Sequence, residues 1–83
     1  MARIAMNFTD LTRGERFIVE WQYRMAGDFM TALANAIMLA DTQNTLRLYK
    51  AFPDEVEAYI NYSQKHGWWE KLQEKAGCKL RST

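Results

Sequence analysis

Between Asp28 and Asp41 the chain runs for 12 residues, Phe29 to Ala40, without a charge. Wound as a helix at about 100° per residue, Phe29, Leu33, Ala36, Ile37 and Ala40 fill one side. Met30, Ala32, Ala34, Met38 and Leu39 fill most of the rest, leaving Thr31 and Asn35 as a narrow polar edge. A helix apolar nearly all round has to be covered on nearly every side. The run is too short to cross a bilayer, which takes about 20 apolar residues, so the cover is protein. The short flanking segments supply part of it and a second copy the remainder, which predicts a homo-oligomer, a dimer or higher.

The flanking segments punctuate themselves as helices. Thr12-Arg13-Gly14-Glu15 has the form of a capping box, opening a first helix that is expected to reach Ala26, with Gly27 ending it and Asp28 capping the next. On this helix Phe17, Ile18, Trp21 and Met25 share one arc, and Arg13, Arg16, Glu20, Tyr23 and Arg24 the opposite one. Asp41 suits the N-cap of a third helix from Thr42 to Ala51, with Leu46, Leu48, Tyr49, Ala51 and Phe52 inward and Gln43, Arg47 and Lys50 outward. Pro53 cannot continue that helix but fits the first turn of a fourth, to about Ser63, where Asp54 and Glu55 favour the positive helix end. Val56, Tyr59 and Ile60 form its inner stripe. Gly67 provides a left-handed stop before a last helix, Trp68 to Ala76, that groups Trp68, Trp69, Leu72 and Ala76. No stretch alternates with the period of a strand. The fold class is therefore all-α: one domain over 1–83, a compact bundle of four to five short helices around the apolar helix 29–40. Residues 1–10 and 78–83 are expected as a loosely ordered lead-in and tail.

Composition narrows the function. With 48% hydrophobic and 25% charged residues the chain is globular, and a net charge of +1 weighs against a protein built to grip a nucleic-acid backbone. The charges are unevenly spread: residues 28–63 carry two bases against five acids, residues 64–83 five bases against two acids. The single cysteine, Cys78, has no internal disulfide partner, and no signal peptide precedes the chain, so a reducing cytoplasm is expected.

Catalysis needs tuned titratable groups held together. One His, one Cys and two Ser, without a Gly-rich phosphate loop, do not supply them. His66 precedes Gly67 in a helix-ending turn, where a histidine serves the helix C-terminus. Cys78 follows Gly77 at the end of the last helix. There is no Cys pair, His pair or Glu-x-x-His spacing for a metal. The chain reads as a non-enzymatic binding protein without catalytic residues, metal or cofactor.

The string G-D-F-x-x-A-L-x-x-A-x-x-x-A-D-x-x-N-x-x-x-L-x-x-A-F-P, Gly27 to Pro53, with Gly67-Trp68-Trp69 behind it, resembles small all-helical accessory proteins of bacteriophages and mobile elements. That resemblance implies context: an interaction protein in the host cytoplasm that inhibits a host or defence protein complex. It carries over no residue roles.

The binding surface expected from the residues themselves joins Arg13, Arg16, Tyr23 and Arg24 on the first helix to Trp68 or Trp69 on the last, since Arg and Trp dominate binding energy. Guanidinium forks beside aromatic rings suit an acidic protein surface or an anionic nucleotide. Glu20 lies four residues from both Arg16 and Arg24, so intrahelical pairs also account for that face. A nucleotide-sequestering oligomer is the second reading. A helix-turn-helix presenting Gln43, Arg47 and Lys50 to DNA is the third; its turn lacks the usual Gly and its middle segment is acidic.

Overall fold

The computed structural model describes residues 10–77, and within them five helices follow one another: α1 (Arg13–Gln22), α2 (Asp28–Leu39), α3 (Thr42–Ala51), α4 (Pro53–Gln64) and α5 (Trp68–Lys75). The described residues contain no strand, and the chain is an all-α bundle as its punctuation requires. The lead-in expected over 1–10, apart from Asp10, and the tail over 78–83 lie outside the described residues.

Most of the caps are those that the residue types dictate. The Thr12 hydroxyl accepts the Glu15 N–H at 3.1 Å while the Glu15 carboxylate accepts the Thr12 N–H at 2.9 Å, closing the capping box. Asp41 Oδ1 accepts the Asn44 N–H at 2.8 Å and opens α3. Pro53 stands in the first turn of α4, and Gly67 takes φ 82°, which glycine adopts without steric cost, immediately before α5.

The end of α1 departs from expectation. The helix stops at Gln22 rather than Ala26, and the left-handed stop is Arg24, with φ 59°. The Met25 N–H reaches back to the Glu20 carbonyl at 2.7 Å and the Arg24 N–H to that of Trp21 at 3.2 Å. This is a Schellman closure with arginine in the place that glycine usually holds. Gly27 has an ordinary extended φ of −72° and caps α2 from its backbone, so Asp28 is the first helical residue and not the cap.

The middle of the bundle belongs to α4, the one helix that packs against all four others. Its closest neighbour is α1, and Gly14 makes that approach possible: a Cβ there would stand 2.5 Å from the Asp54 carbonyl oxygen. The core between them consists of Phe17, Ile18, Val19, Val56 and Ala58, joined by Leu33, Ala34 and Ile37 of α2 and by Leu72 and Ala76.

The apolar helix 29–40 is thus a flank and not the centre. Leu33, Ala34 and Ile37 face inward, whereas Ala32 and Ala36 are exposed, Phe29 keeps 63% of its surface and Leu39 80%. Ala36, expected on the inner side, faces out. The same correction applies to α3, which buries no residue; Leu48 and Phe52 lean on the core, but Leu46, Tyr49 and Ala51 are exposed. Met25 and Ile60 also stay exposed, because Val19 and Ala58 take the inward positions instead. No described helix is long and apolar enough to cross a membrane.

Candidate functional site

The arginines of α1 do not act as one face. At its start, Arg13 Nε lies 3.9 Å from Glu55 Oε2; the arginine side chain is 76% exposed while Glu55 is buried beneath it. A buried carboxylate needs a counter-charge, so Arg13 is committed to the fold. One turn on, Arg16 Nε donates to Glu20 Oε2 at 2.9 Å, the intrahelical pair that its spacing anticipates. Only the guanidinium of Arg24, carried past the helix end by the left-handed turn, forms no hydrogen bond or ion pair among the described residues.

Arg24 opens onto a shallow cleft of about 570 Å³ between the end of α1 and the outer edge of α2, which it shares with Trp21, Gln22, Ala26, Thr31 and Asn35. Thr31 and Asn35 are the polar edge of the apolar helix, and Thr31 Oγ1 donates to the Ala26 carbonyl at 3.5 Å. The cleft thus combines a guanidinium, an indole and amide and hydroxyl groups, and among the described residues no carboxylate lines it.

Arg13 and Trp68 do meet, around a different cleft of about 300 Å³ where α1, α4 and α5 converge. Glu15, Asp54 and Glu57 line it as well, so its lining is acidic overall, the opposite of the basic surface expected there. Glu15 is held below the ordinary carboxylate value of 4.5: its partial burial pushes it upward, but the Thr12 N–H and the Lys75 ammonium, 2.9 Å away, outweigh that effect. Lys75 ties α5 to α1 through this contact.

Tyr23 and Trp69 also meet, with ring centroids 6.1 Å apart, and the Tyr23 hydroxyl accepts from Gln73 Nε2 at 2.9 Å. They belong to a chain of five rings. Trp69 sits edge-on to Tyr62 at 5.6 Å, Tyr62 edge-on to Trp21 at 5.7 Å, and Trp21 lies 6.0 Å from Tyr59. Such pairs prefer tilted and edge-on geometry because the ring quadrupoles oppose face-to-face stacking. The rings join α1, α4 and α5, so Tyr23 and Trp69 are half-buried structural contacts. Both tryptophans of α5 are half-buried against the core, neither fully inside nor standing clear.

The six residues singled out on α1 and α5 therefore divide into a paired set (Arg13, Arg16), an aromatic seam (Tyr23, Trp69), an acidic cleft wall (Trp68) and a cation whose side chain has no partner among the described residues (Arg24). Trp21, which had read as a core residue only, is the aromatic neighbour of that cation. The Gln43, Arg47 and Lys50 stripe is exposed along α3, with Arg47 donating to Asn44 Oδ1 at 3.3 Å. Comparison with known protein families, with curated proteins and with solved structures gives no match for this chain.

Proposed function

We propose that this chain is a non-catalytic interaction protein that self-associates and docks, through the edge around Arg24, on an acidic surface of another protein. The observation that carries the reading is Arg24 itself. An L-residue in the left-handed region costs about 1–2 kcal/mol, glycine would avoid that cost, and strain of this kind collects where a side chain is needed for something other than folding. Here the side chain is an exposed guanidinium without a partner among the described residues, beside an indole. Arg and Trp together are the side chains that dominate protein–protein binding energy. Self-association is supported by the apolar surface that α2 and α3 leave bare, Phe29, Leu39 and Leu46 above all, since apolar patches rimmed by polar residues mark interaction sites. In the setting implied by the Gly27–Pro53 pattern, the partner is a component of a host or defence complex in the cytoplasm, and binding inhibits it.

The test compares Arg24→Glu with Arg47→Glu/Lys50→Glu for recovery of a partner from host extract, with folding checked by circular dichroism. The reading predicts loss with the first variant and retention with the second. Loss only in the second favours the helix-turn-helix alternative. A nucleotide recovered in place of a protein, and lost with Arg24→Glu, favours the sequestering alternative.

A further inference from the structure

The exposed strip of α2 has a symmetry of its own. Of the five exposed apolar residues of α2, Met38 turns to the side opposite Phe29 at about 100° per residue; the other four, Phe29, Ala32, Ala36 and Leu39, follow one another at spacings of three, four and three, so the strip reads the same from either end, about a centre at residue 34. Large side chains stand at both ends and alanines in the middle. Between Phe29 and Ala40 there is no charge; Asp28 and Asp41 mark the ends. Depletion of charge at the centre with polar groups at the rim is the composition of an interface core. A three-four spacing is also that of the seam by which helices pair.

We infer that this strip is the contact between two copies of the chain, with the two α2 helices antiparallel across a two-fold axis near residue 34. An antiparallel arrangement about that centre sets Phe29 opposite Leu39 of the second copy, and Ala32 opposite the second copy's Ala36. A two-fold interface requires each residue pair to occur twice in reverse, and this strip satisfies that with its own sequence. The central alanines let the helix axes approach toward the short end of the usual 8–10 Å. Phe29 and Leu39 then close the two ends, with Phe29 already steadied by Phe52 at 6.0 Å between ring centroids. A parallel pairing would put Phe29 on Phe29 and Leu39 on Leu39, leaving the strip wide at one end and narrow at the other. Phe29 and Leu39, 63% and 80% exposed, supply the large apolar surface of the strip, and polar flanks complete the roughly 800 Å² that one side of a stable interface buries. That amount suits a second copy with polar flanks better than a small ligand.

The inference rests on the self-association proposed above, and the experiment separates the two. Sedimentation of the full chain is expected to give twice the chain mass, and Ala36→Glu, an exposed substitution, to give a folded monomer with association weakened at least 100-fold. A second set of variants, on a Cys78→Ser background, reports the direction. Mixing Ala32→Cys with Ala36→Cys under oxidation is expected to yield a disulfide dimer. Leu39→Cys alone is expected to yield none, because antiparallel copies place the two residues 39 about 15 Å apart along the axis, beyond the reach of a disulfide. A wild-type monomer would overturn self-association itself. A dimer indifferent to Ala36→Glu would overturn the strip, and self-linking of Leu39→Cys would overturn the antiparallel arrangement.

Discussion

Gly14 of α1 rests directly on Asp54 of α4: an added Cβ would lie 2.5 Å from the Asp54 carbonyl oxygen and 2.8 Å from the Ala58 Cβ. Neither obstacle is a flexible chain end, so the helices would have to move apart. Alanine in place of this glycine would gain about 1 kcal/mol of helix propensity, yet the overpacked crossing costs about 1–3 kcal/mol. Gly14→Ala is therefore expected to lower stability in urea denaturation by up to about 2 kcal/mol after that offset, because the closest helix pair of the bundle depends on the missing side chain.

Glu15 gives the fold an acid-sensitive point. Its carboxyl is held below 4.5 by the Thr12 N–H and Lys75. A group whose folded value is depressed contributes stability above its unfolded value, and that contribution is lost as pH falls through the folded one. Melting temperature is expected to hold above the carboxylate range and to drop on acidification below about 4.5. Glu15→Gln keeps a capping box but loses the charge, so part of that drop should vanish; an unchanged pH profile would remove Glu15 as its source.

On α2, Leu33→Asp buries a carboxylate among Phe17, Val56 and their neighbours, at a cost of several kcal/mol. That is comparable with the whole stability of a small domain, and soluble yield is expected to collapse. Asn35→Asp, on the exposed edge, is expected to keep both yield and melting temperature within small limits. Equal behaviour of the two variants would mean that the helix is rotated from its described orientation.

Much of this architecture is legible in the residues, and the parts that are not share one cause. Thr12 with Glu15, Asp41, Pro53 and Gly67 fix helix boundaries by local chemistry, and they act where they stand in the chain. Which apolar face goes inward depends on distant partners. The wheel of α2 is so uniformly apolar that it could not choose between Ala36 and Ala34, and the choice falls to the Leu33, Ala34 and Ile37 side that meets α1 and α4. Gly14 shows the same limit: in the chain it is a weak helix former, and only the crossing with α4 gives it a purpose. The candidate site was half visible. The arginines and aromatics were evident, but Glu55 and Glu20 decide which arginine is free, and Glu55 is 42 residues from Arg13 in sequence. Arg24 as a helix stop had no signal, since Gly27 offered the conventional one three residues later.

The most direct test of the account is one substitution with two readouts, Arg24→Gly. Glycine relieves the left-handed strain, so the melting temperature is expected to rise, in line with about 1 kcal/mol, while affinity for a partner recovered by the wild-type chain is expected to fall at least tenfold. A gain in stability with binding unchanged would contradict the claim that this arginine is kept for recognition.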